Sequence, residues 1–181
     1  MTSGPDDPVG KVAAELVPDL GHVMLQFAVE TGKNLFEVLP EPRPPIQEAE
    51  ASLEAMVFFL HLLDRAAFER LGPFKRRVFM DAILEGMSKT SRPAGLRSDA
   101  FRDLWNEKQN EYAAFQKLYP EDGEPWKGTL CWEFAKRLGM EYGNSNPARI
   151  TLIASGAISM IALLREALGA LLREALGALD V

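Results

Sequence analysis

No stretch of this chain alternates apolar and polar residues for long enough to make a half-buried strand. Every long segment instead repeats its apolar positions at the helical period. That property restricts the chain to an all-α architecture. Its 181 residues are enough to bury a core without disulfides and correspond to one domain. The expectation is a flexible N-terminus over residues 1–8, followed by a single-domain bundle of six or seven helices over 9–181.

Prolines and glycines divide the chain. Residues ~9–39 read as one or two helices, with Pro18 at a break or in a first turn. Met24, Phe27, Ala28, Leu35 and Val38 form its apolar stripe, and Glu15, Asp19, His22, Gln26, Glu30, Lys33 and Glu37 the polar one. Four prolines between positions 40 and 45 then make a stiff, extended connector. The next helix, ~46–71, is apolar nearly all round from Ala55 to Leu60 and again at Leu62 and Leu63, as expected of the central helix of a bundle. Gly72-Pro73 closes it and opens another, which directs Phe74, Val78, Phe79, Ala82 and Ile83 to the core and ends near Gly86. A fifth helix is expected over Ser98 to Tyr119, with Ser98 as N-cap, and a sixth over Leu130 to Tyr142. The last, ~147–178, starts at Asn146 as N-cap with Pro147 following.

That last helix carries a perfect tandem octapeptide, Leu163 to Ala170 repeated as Leu171 to Ala178. Eight residues turn a helix by ~800°, which is ~80° beyond two full turns, so the copies face different directions. A repeat made for one straight seam would use seven or eleven residues. The octapeptide reads as a duplication, natural or engineered, whose outer copy extends past the core or packs on a neighbouring chain.

Composition narrows function more than it defines it. The net charge of −6 argues against nucleic acid as a partner, and Lys75-Arg76-Arg77 is too short to supply a basic face. Cys131 is the only cysteine, which excludes an internal disulfide and a thiolate metal cage. Its neighbours Leu130 and Trp132 mark it as a small buried residue. The acidic start, Met1 to Asp7, lacks the features of a secretory signal, so a reducing cytoplasm is the expected compartment.

The polar chemistry that remains centres on two histidines, each with an aspartate three residues away in mirrored order: Asp19 with His22, and His61 with Asp64. Gln47, Glu50, Glu54, His61, Asp64 and Arg65 share a ~100° arc of the 46–71 helix. A narrow polar stripe on an apolar helix is where bundle proteins place metal or proton-transfer groups. Glu50, Glu54, His61 and Asp64 are therefore the candidate site. His61, Asp64 and Glu54, joined by His22 and Asp19, are the candidate ligands for Fe, Mn or Zn. The competing expectation is no cofactor at all, with Glu50 and Glu54 solvated, His61 and Asp64 a satisfied hydrogen-bonded pair, and His22 on a broad exposed face. Replacing Glu54 by leucine should be tolerated if that face meets water and should abolish activity or cofactor content if it is a site.

Residues 150–164 are uncharged, which suits a core helix or a helix–helix seam and falls short of the ~20 residues of a membrane span. Ser155, Ser159, Leu171, Leu172 and the loop residue Trp126 are the candidate interface. No phosphate loop, serine elbow or zinc-protease motif is present. The leading expectation is a soluble helical protein that works by binding a protein partner or itself rather than by catalysis. The alternatives are a helical-bundle metal- or ligand-binding protein using the His61 stripe and, less favoured, membrane-surface association through the last helix.

Overall fold

Five helices make up the fold among the described residues of a computed structural model, which covers 8–36, 45–90, 100–121, 124–142 and 146–177. They are α1 (Pro8–Phe36), α2 (Pro45–Thr90), α3 (Ala100–Ala113), α4 (Leu130–Glu141) and α5 (Pro147–Gly177), and no strand occurs among those residues. The described residues hold five helical elements, one of which, α2, is bent at Gly72. The N-terminal flexible segment, most of the proline connector, Val38 and Ser98 lie outside the described residues.

Of two expected breaks, the one at Pro18 does not divide the chain and the one at Gly72 bends it. α1 runs unbroken through Pro18. Proline lacks the N–H of its turn and crowds the carbonyl of residue 14. Ala14 and Pro18 are both exposed, while Leu16, Val17 and Leu20 are buried around them, so packing of the apolar face holds the helix. The expected boundary at Gly72-Pro73 is present: Gly72 (φ 68°, ψ 176°) is not helical, and α2 is two helical halves joined across a kink there. Glycine alone adopts that φ without strain. The kink leaves Phe79 and Ile83 buried and Val78 and Ala82 half-buried, but turns Phe74 outward, 69% exposed and away from the core expected for it.

α2 packs against α1, α3 and α5, and α5 also packs against α1 and α4. From Ala51 to Ala67 only Ser52 and Arg65 escape full burial. Phe58 stacks on Phe134 of α4 with ring centroids 3.7 Å apart and meets Tyr112 of α3 edge-on at 5.4 Å. One hydrophobic core draws on all five helices. Cys131 lies within it, and burial pushes its thiol up to about 12.

Local chemistry sets the ends of α4 and α5. Asn146 Oδ1 accepts the Ala148 N–H at 2.9 Å, an N-cap bond one residue before Pro147. The first N–H groups of α4 have no intrahelical partner, and here Leu130 and Cys131 donate them to the carbonyls of Lys117 and Leu118 at 2.9 and 3.0 Å. Trp126 is half-buried against the core. Its carbonyl accepts the Thr129 hydroxyl at 2.7 Å, which pins the loop that leads into α4.

Candidate functional site

The polar stripe of α2 begins in solvent and runs inward. Gln47 is half-buried and Glu50 exposed, whereas Glu54, His61 and Asp64 are only 4–5% exposed. The side chains that cover the stripe come from α3, α4 and the second half of α2, and they are cations.

Glu54 accepts from Arg137 of α4 at 2.8 Å, with Lys108 of α3 3.7 Å away. Arg137 also pairs with Glu111 at 2.9 Å and donates to the Tyr112 hydroxyl at 2.8 Å. Burial raises the Glu54 carboxyl above its ordinary range, opposed by Arg137 and Lys108. Burial likewise raises the Tyr112 phenol. This node is a three-helix ion pair.

His61 and Asp64 do not pair with each other. His61 Nε2 accepts from Arg65 Nε at 3.1 Å. Asp64 holds Arg76 in a two-point fork, with Nε donating to Oδ1 at 2.6 Å and Nη2 to Oδ2. Arg76 comes from beyond the Gly72 kink, which folds α2 back enough for residues twelve apart to meet. Arg65 also donates through Nη2 to the carbonyls of Tyr112 (2.8 Å) and Phe115, and through Nη1 to that of Gln116 (3.4 Å). These carbonyls belong to the last turn of α3 and the segment just after it, so Arg65 ties that segment to α2. α3 ends at Ala113 instead of the expected Tyr119. Burial and the flanking Arg65 and Arg76 lower the pKa of His61 from its ordinary 6.5 to about 3, so the ring is neutral at physiological pH.

A cleft of about 540 Å³ opens over this second node, lined by His61, Asp64, Arg76, Gln109 and Gln116 among others. With Nε2 accepting from an arginine, the His61 proton sits on Nδ1, which is buried and reaches no partner among the described residues. Among the described residues no three His, Cys, Asp or Glu side chains stand together as a metal-ion set. A cation at His61 Nε2 would have to displace Arg65 and sit beside a second guanidinium. Asp19 and His22 are exposed on α1, and His22 lines a different cleft, so the structure does not join the mirrored pairs.

That other cleft, about 550 Å³, lies between α1 and α5 and is lined by His22, Leu25, Gln26, Val29, Gly156 and Met160 among others. The α5 side chains divide into two faces. Ile150, Ile153, Ala154, Ala157, Ile161 and Leu164 are buried, while Leu152, Gly156, Ser159 and Leu163 point outward. Leu152 is 48% and Leu163 56% exposed, and Leu25 (43%) and Val29 (53%) are exposed on α1. Scattered exposed leucines are ordinary; a face without charge from residue 150 to 164 is not. Ser155 is half-buried, and the Ser159 hydroxyl donates to the Ser155 carbonyl at 3.1 Å. Leu171 and Leu172 lie outside the residues whose side chains are described. Both α1 (Pro8–Leu35) and α5 (Pro147–Glu166) are long and apolar enough to cross a membrane by length and composition, although part of each is buried in the bundle. Comparison of the chain with family models, with curated proteins and with solved structures finds no match.

Proposed function

We propose that this protein works by self-association through the outward face of α5, with the α1/α5 cleft beside it. The observation that supports the reading is the uncharged, exposed run of α5 with Leu152 and Leu163 on it, on a chain of net charge −6. A strongly charged chain meets its own copy at least electrostatic cost where charge is absent. In this reading the 51–67 half of α2 is the central helix of the bundle, and α5 is the helix that faces outward to a second copy. The cleft over His61 ranks second as a functional site, because its arginines are already matched to Asp64 and to the α3 carbonyls.

Analytical ultracentrifugation tests the proposal. The chain should pass from monomer to dimer with rising concentration, and Leu163→Lys should remain monomeric with an unchanged circular dichroism spectrum. A wild-type chain that stays monomeric up to roughly 500 μM, the weak end of specific association, would remove the reading.

A further inference from the structure

The outward face of α5 has an internal symmetry that says how two copies would meet. Its side chains at 149, 152, 156, 159, 163 and 166 are Arg, Leu, Gly, Ser, Leu and Glu, at alternating spacings of three and four. Alternating three- and four-residue steps keep one seam turned towards a partner helix. The seam is also a palindrome about the point between Ala157 and Ile158. Reversed, Leu152 falls on Leu163, Gly156 on Ser159, and Arg149 on Glu166. Arg149 is half-exposed and Glu166 exposed, and among the described residues neither meets a side-chain counter-charge within the chain.

Resting on the self-association reading, we infer that the second copy docks antiparallel along α5, with a two-fold axis passing between Ala157 and Ile158. Such an interface is isologous, so each contact occurs twice. Leu152 of each chain packs on Leu163 of its partner. Gly156 meets Ser159, where the absence of a side chain lets the axes approach to the short end of ~8–10 Å. Beyond Gly156 a Cβ would meet nothing within the chain, so this space is open to a partner. The Ser159 hydroxyl is already bonded to Ser155, so covering it leaves no unmade hydrogen bond. Arg149 and Glu166 close both ends of the seam with opposite charges. A parallel pairing would instead stack Arg149 on Arg149 and Glu166 on Glu166, which like charges disfavour. The seam spans ~25 Å at 1.5 Å per residue.

The geometry separates the register from mere association. In the antiparallel pair position 152 faces 163 across the axis, while 152 and its own copy stand ~16 Å apart along it. Leu152→Cys protein mixed with Leu163→Cys protein should therefore form a disulfide-linked dimer under copper-phenanthroline, and neither variant should do so alone. Arg149→Glu should weaken the dimer at least threefold in ultracentrifugation, and adding Glu166→Arg to the same chain should restore it. If the wild type dimerises but each cysteine variant crosslinks as well alone as mixed, or the mixture does not crosslink, the antiparallel register is wrong and self-association stands. If the chain remains monomeric, both fall. A monomeric chain that co-sediments with vesicles of phosphatidylcholine and phosphatidylglycerol, and loses this with Leu163→Lys, would assign the face to lipid and overturn both.

Discussion

His61 shows how far burial can move a single group. Its ring is neutral because two guanidinia and a dry surrounding oppose a third positive charge, and the pKa of about 3 follows. The unfolded chain returns it to 6.5, so between these values the unfolded state binds the extra proton. Stability from this group is therefore complete above pH 6.5 and is lost as pH falls towards 3. Glu54, whose pKa is raised, has the opposite sign: it contributes most below its ordinary 4.5 and loses stability as pH rises. Comparison of wild type with His61→Phe in denaturant unfolding at pH 7, 6, 5 and 4 isolates the histidine. The wild type should lose up to about 1.4 kcal/mol per pH unit more than the variant across that window, and equal slopes would refute the account. That His61 and Asp64 belong to a polar stripe on an otherwise apolar helix was legible in the sequence, and the structure buries both. Their partners were not legible. Arg76 arrives by way of the Gly72 kink, and spacing along one helix carries no information about an arginine beyond a bend. Arg137 and Lys108 of the Glu54 node come from other helices altogether.

At the scale of the element, local signals and long-range ones part company. The start of α5 is written in Asn146-Pro147, and the side-chain cap is there. The segment that follows α3 is held by Arg65, which lies 47 to 51 residues away from the carbonyls it captures, so no pattern near Ala113 announces that contact. Pro18 reads as a break, yet the burial on its flanks outweighs the lost hydrogen bond. The two glycines Gly86 and Gly32 make the same point by substitution. A Cβ on Gly86 would overlap the Val17 side chain where α2 crosses α1, while one on Gly32 meets nothing. Gly86→Ala should destabilise by roughly 1–3 kcal/mol through overpacking. Gly32→Ala should stabilise by about 0.5–1 kcal/mol by removing backbone freedom from the unfolded chain. Urea unfolding of both variants measures the two signs directly, and a shared sign would contradict the packing described for α1 and α2.

For the whole molecule, the Glu54 node does what backbone packing leaves undone. α3 lies on α2 and α4 on α5, and the Arg137 guanidinium connects α4 to Glu54 of α2 and to Glu111 and Tyr112 of α3. Glu54→Leu would leave Arg137 and Lys108 with the more exposed Glu111 as their remaining shared counter-charge. The expected loss is roughly 1–3 kcal/mol, read as a lower urea midpoint, because the half-buried cations lose their buried partner and keep only the exposed one. A neutral or stabilising result would show that the node is solvated and that hydrophobic contact alone holds α3 and α4.

Cys131 sits in the hydrophobic core, and burial pushes its thiol up to about 12, so it is protonated at physiological pH. The thiolate is the nucleophile that attacks thiol reagents, and the closed molecule keeps Cys131 buried and protonated, away from them. Each labelled chain is then one that has opened, and the labelling rate becomes the molecule's own clock for excursions out of the native state. Because that clock ticks only on unfolding, cysteines placed on the α5 surface can be read against a silent background.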